Sequence, residues 1–233
     1  MSAFEDEIFA KWQRWVRQIN EQITRLRFRR MLWRGTLELM QSAEVKDGTY
    51  AAFLTGLYVD GQAMGIRRLS TAGDDEISIG RLLLEITQHP TVISRDRIRS
   101  IPDLTGLDEH DRALRLQWAD EGFASWVAPG TNVIDIQIPT SDLGQLSDQA
   151  KKVVAFANRT VAHLDPRGWD ASLTFGELTR AIDTVSDLHA RYLLLLTEVA
   201  KGMLTPTIQG DWREPFRQAL IGRVDEDDDR LDY

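Results

Sequence analysis

The 233-residue chain contains no cysteine. Disulfides, thiolate nucleophiles and Cys-based zinc sites are thereby removed together, and the composition fits a reducing compartment. Histidine is scarce, with four residues, and no two of them stand at the spacing of a paired-His zinc helix. A phosphate-cradling Gly loop and a Gly-x-Ser-x-Gly nucleophile elbow are also missing. Neither a bound metal nor an organic cofactor is expected. Long apolar runs are absent as well. The longest aliphatic stretches, Leu82 to Leu84 and Leu193 to Leu196, fall far short of the roughly 20 residues that a membrane-spanning helix needs. The beginning, Met1-Ser2-Ala3-Phe4-Glu5-Asp6-Glu7, is acidic where a secretory signal would be basic. The expectation is a cytoplasmic chain with no membrane partner, long enough to bury a substantial core without staples.

The formal charge of -8 argues against indiscriminate phosphate binding, yet it is unevenly spread. Asp225 to Asp232 holds six acids and one base, so the body of the protein is close to neutral. This tail is too charged and too poor in aliphatic residues to fold alone, and residues 224-233 are predicted to be disordered. Residues 8 to 34, by contrast, carry Lys11 and seven arginines against the single acid Glu21. Such a local basic field is either a solvated helix face or a surface for a polyanion or acidic partner.

Helical periodicity dominates. At 100° per residue, Ile8, Trp12, Trp15, Ile19, Ile23 and Leu26 form a stripe that Trp33 and Leu37 extend, with Arg14, Arg17, Glu21 and Arg25 on the reverse side. Gly35 is a candidate break. After Asp47-Gly48, a second helix is predicted with Tyr50, Phe53, Leu54, Leu57, Gly61 and Met64 on its apolar side. Glycines at 56, 61 and 65 cost it about 1 kcal/mol each relative to Ala, which a close helix crossing would offset. Ile77, Ile79, Leu82, Leu83 and Ile86 predict a short helix that His89-Pro90 stops. Residues 91-140 read as a less regular insertion, with Arg95, Arg97 and Arg99 alternating, a helical stretch from His110 to Trp126, and an extended segment at Ile134, Ile136 and Ile138. A helix is predicted from about Ser141-Asp142 to His163. Another opens on the Thr174-Phe175-Gly176-Glu177 capping box and carries Leu178, Ile182, Val185, Leu188, Tyr192, Leu195 and Val199. The predicted fold is an all-α bundle of about five main helices, one domain over 1-223.

Chemistry concentrates in Asn158-Arg159-Thr160-Val161-Ala162-His163-Leu164-Asp165. On a regular helix Lys152, Arg159 and His163 project from one side, away from the core stripe of Ala150, Val153, Ala157 and Val161. Two cations on that face could hold a phosphate while an imidazole that titrates near neutrality moves a proton. The same face could be an ordinary wet surface. His189 reads as a packing histidine, and His110 within Asp108-Glu109-His110-Asp111 does not make a persuasive metal site.

Asn158 to Asp165, together with Tyr58 to Arg68 and Asp75 to Leu83, resembles the abortive-infection branch of the HEPN superfamily, over roughly Tyr58 to Leu196. The resemblance implies a HEPN-like helical bundle, commonly a homodimer, of the kind implicated in bacterial toxin-antitoxin, antiphage or RNA-processing systems. It also implies RNA as a partner, and a metal-independent endoribonuclease in which Arg and His side chains meet across a dimer cleft. His163 matches the family histidine and Asn158 the polar residue upstream of it. The family arginine stands further from its histidine than the three residues that separate Arg159 from His163. Arg159, Arg67 or Arg68 is then the group that would grip phosphate, with Lys152 beside them. The alternative is a non-catalytic interaction module whose basic amino-terminal helix or acidic tail recognises a protein partner.

Overall fold

The computed structural model describes residues 2-42, 48-162, 172-199 and 210-214, and every named element in it is helical. Seven α-helices take part: α1 (Ala3–Ser42), α2 (Gly48–Ser70), α3 (Ile79–Gln88), α4 (Arg95–Arg99), α5 (Glu109–Ala124), α6 (Gln137–Phe156) and α7 (Phe175–Thr197). A 3₁₀ turn (Pro90–Val92) precedes α4, and α6 runs on into a π-helical turn (Ala157–Ala162).

The long first helix follows from its composition. No proline occurs before Pro90, and a reciprocal cap starts α1: Ser2 Oγ accepts from the Glu5 amide at 3.2 Å while Glu5 Oε2 accepts from the Ser2 amide at 3.0 Å. Of the predicted stripe, Ile8, Trp12, Ile19, Ile23, Leu26 and Trp33 are buried while Trp15 and Leu37 are half-buried, and Val16 takes a place in the core that the stripe did not include. Gly35 does not break the helix. It admits a neighbour instead, since a Cβ there would lie 2.6 Å from Trp212 Cζ2.

Around α1 the chain makes antiparallel pairs. α2 returns along it, with Gln62 donating to the Leu26 carbonyl at 2.9 Å and Trp33 stacked on Tyr58 at 5.0 Å. Gly65 permits that approach, because a Cβ would meet Leu26 Cδ2 at 2.5 Å; Gly56 faces open space and has no such role. The buried side of α2 differs from the predicted one. Gln62, Ala63, Ile66 and Leu69 are inside, whereas Tyr50, Phe53 and Leu57 are exposed. The contact with α1 is made where the side chain is smallest, and that choice rotates the aromatic row outward.

α7 lies antiparallel to α1, fixed by the ion pair Arg30–Asp183 at 2.5 Å, by His189 Nε2–H donating to the Val16 carbonyl at 2.8 Å, and by Gln13 donating to the Leu196 carbonyl at 2.8 Å. His189 is fully buried, a packing residue. The capping box of Thr174 and Glu177 is present at the start of α7. α6 begins four residues earlier than expected. Asp135 Oδ1 caps the Gln137 amide at 2.9 Å, and Pro139 falls in the first turn, where its missing N–H costs nothing. Ile138 is therefore helical, and the extended segment is reduced to two isolated bridges, Ser94 with Val133 and Val127 with Ile134. The alternating arginines of 95 to 99 form the single-turn helix α4, and the 91-140 region packs into the common core through Val92, Ile93, Ile98, Phe123 and Ile134. Among the described residues no helix is long and apolar enough to cross a membrane.

Candidate functional site

The chain brings two of its sequence-predicted site residues into contact. Arg67, half-buried in the last turn of α2, donates from Nε to Asn158 Oδ1 at 2.5 Å. These residues are 91 apart in sequence. Asn158 and Arg159 both stand exposed on the π-helical turn, and Arg68 is exposed beside Arg67. The bond occupies one of the five N–H donors of a guanidinium, so Asn158 fixes the plane of Arg67 while its terminal nitrogens keep four donors for other acceptors.

The π turn changes the geometry assumed for a regular helix. With i→i+5 bonding each turn holds an extra residue, so positions after Phe156 rotate less per step and faces drawn at 100° drift apart. Such turns commonly accompany functional sites because they redirect side chains without ending the helix. His163 lies outside the described residues. Lys152 is exposed on α6 and bridges to Glu177 Oε1 at 2.5 Å, across to the first turn of α7. That contact and the Thr174 amide and hydroxyl lower the Glu177 pKa from 4.5 to about 2. Lys152 therefore ties two helices together, and no contact joins it to Arg67 or Asn158 among those described.

A second cationic feature was visible in the sequence only as a charge count. Arg27, Arg30 and Arg34 recur along one side of α1, and with Arg213 they line a cleft of about 510 Å³ that Trp212 closes over Gly35. Arg213 is held by Glu38 at 2.8 Å, the only acid among the described residues that line the cleft. The spacing of three and four residues could have revealed the row. The contribution of Arg213 could not be foreseen, since it stands 175 residues from Glu38 in the chain.

Other charge clusters are structural. Glu85 is buried between α1 and α3, where it accepts from Trp12 Nε1 at 2.9 Å and pairs with Lys11 at 2.6 Å and Arg81 at 3.2 Å. Burial by itself would raise its pKa, but the Lys11 and Trp12 hydrogen bonds and the charges of Lys11 and Arg81 bring it below the usual value. Arg97 is buried against Asp6 and over the Phe9 ring at 5.2 Å. Among the described residues no three His, Asp or Glu side chains gather as metal ligands. Compared with family models, curated proteins and solved structures, the chain finds no match.

Proposed function

We propose that the protein binds RNA as a HEPN-like helical bundle, with the junction of α2 and the π-helical turn as the phosphate-gripping centre. The observation that carries this reading is the Arg67 to Asn158 hydrogen bond. It joins two stretches of the resemblance that lie far apart in the chain, and it engages the guanidinium through Nε, not through its terminal nitrogens. The arginine cleft on α1 supports it by supplying a second anion-attracting surface. In the catalytic form of the proposal His163 transfers a proton, Arg159 and Arg67 or Arg68 stabilise charge on the scissile phosphate, and a second copy of the chain completes the groove.

The test is incubation of the purified chain with structured and unstructured RNA in chelator, beside His163→Ala and Arg67→Ala. Cleavage lost in His163→Ala, with binding retained, supports the nuclease. Binding without cleavage in either protein reduces the proposal to recognition, and no binding to any RNA removes it. One observation favours the rival reading of an interaction module. Tyr50, Phe53 and Leu57 form an exposed apolar row on α2 that adjoins the stacked rings of Tyr58, Trp33 and Phe175. If that row is the working surface, Phe53→Ser abolishes association with a protein partner or second copy, read by sedimentation, while RNA affinity does not change.

A further inference from the structure

A cavity of about 650 Å³ opens between α5 and the end of α7, and it shares no lining residue with the arginine cleft. Its depth is apolar, with Phe123, Ile98 and Leu195 all part of the buried core. Its mouth is apolar too: Trp118 is 58% exposed and Leu194 50%. Gly122 stands one turn after Trp118, and a Cβ there would meet nothing within 4 Å. A helical glycine costs about 1 kcal/mol relative to Ala, and here no packing contact requires it.

The polar groups of this cavity are prearranged. Arg191 donates to Asp142 Oδ1 at 2.8 Å and lies 5.1 Å over the Trp126 ring. Asp142 is itself buried, and its second oxygen accepts from Tyr192 Oη at 2.8 Å. The guanidinium is thus fixed from two sides before any ligand arrives, which lowers the entropic cost of using it. Arg115 supplies a second cation from α5. The acid on the rim is Glu198, the only non-glycine described with a positive φ, 56°. Burial raises its pKa, opposed by Arg115.

We propose that this cavity binds a small ligand made of a planar aromatic ring and one anionic group, the ring against Trp118 and Trp126 and the anion on Arg115 and Arg191. Its volume lies within the range of about 300–1,000 Å³ that such sites occupy, and its few polar groups converge as theirs do. Arg115 and the partly exposed Arg191 offer N–H donors to an anion that a purely apolar ligand would not use. The inference stands apart from RNA recognition at the α2 junction. A free aromatic acid and a single nucleotide share the ring-and-anion chemistry, so the experiment separates them.

The full chain is titrated with the aromatic sulfonate dye ANS, read by energy transfer from tryptophan, and the bound dye is then challenged with benzoate or adenosine monophosphate. One saturable site is expected. Trp118→Ala weakens it about tenfold and Trp118→Phe restores most of the loss, in line with the worth of one stacked ring. Arg115→Gln weakens it about fivefold, the loss of one charged contact at an exposed mouth. Because ANS also favours exposed apolar surface, Phe53→Ser on α2 is the control and is expected to leave affinity unchanged. Displacement by benzoate alone identifies a free acid, and displacement by the nucleotide identifies a nucleotide. Absence of saturable binding, displacement by neither competitor, equal affinity in Trp118→Ala, or loss confined to Phe53→Ser overturns the proposal.

Discussion

The two ends of α1 use charge in opposite ways. Near its start, Lys11, Glu85 and Arg81 are matched within 3.2 Å and enclosed, and Asp6 is matched to Arg97. Near its end, Arg30 is paired with Asp183 and Arg213 with Glu38, while Arg27 and Arg34 line the same open cleft with no acidic partner among the described residues. The same residue types therefore do different work, decided by burial and by stoichiometry. A matched and buried charge fixes geometry, because losing either partner strands the other in a poor solvent. A surplus on an open surface has little stability to lose and attracts anions.

The largest expected effect tests the matched end. Glu85→Ala leaves Lys11 and the Trp12 N–H without their acceptor, and Arg81 with Asp74 alone, and is expected to cost about 3–5 kcal/mol of stability by chemical denaturation. Below its lowered melting temperature, RNA affinity is expected to be unchanged. Next comes the surplus end. Arg27→Glu with Arg34→Glu is expected to weaken RNA binding about tenfold or more at low salt and to reduce the slope of log affinity against log salt by about 1.4, some 0.7 per lost phosphate contact on a single strand. Thermal stability is expected to hold within a few degrees, because neither arginine has a described acidic partner. If instead the double variant unfolds and Glu85→Ala does not, the contrast between the two ends is wrong.

A smaller effect concerns the acidic tail. If Asp225 to Asp232 screens the cleft, deletion of residues 225-233 is expected to raise RNA affinity a few-fold at low salt, fading as the Debye length shrinks from about 10 Å at 0.1 M toward 3 Å at 1 M. Unchanged affinity across that range would show that the surplus is unscreened. The smallest effect is acid sensitivity. The Glu177 pKa is lowered when folded, so its contribution is present above its ordinary value of 4.5 and is lost as pH falls toward about 2. Lys152→Ala removes the first cause of that shift. The melting temperature of this variant is therefore expected to fall less steeply over that window than that of the parent.

What could be read in advance was whatever depends on near neighbours. Most of the α1 stripe and the Thr174-Glu177 capping box are set by residues within a turn or two of each other. The all-α class followed from the same periodicities. The outward rotation of α2 was hidden because Gly65 outweighs Tyr50 and Phe53 only once Leu26 lies opposite. The early start of α6 was hidden because Asp142, a plausible cap, is taken by Arg191 and Tyr192 from another helix. At the candidate site, Asn158 and the pair Arg67-Arg68 were identifiable as polar groups near helix ends, but their meeting depends on packing between α2 and the π turn. Lys152 was grouped with Arg159 and His163 by angular position alone, and Glu177 pairs with it across to α7.

The central claim is that Asn158 serves RNA recognition by holding Arg67. A double-mutant cycle on RNA affinity with Arg67→Ala and Asn158→Ala tests it most directly. Arg67→Ala is expected to weaken binding about tenfold, Asn158→Ala to weaken it less, and the double variant to be no worse than Arg67→Ala. Strictly additive losses, or an Arg67→Ala protein that binds RNA as the parent does, would contradict it.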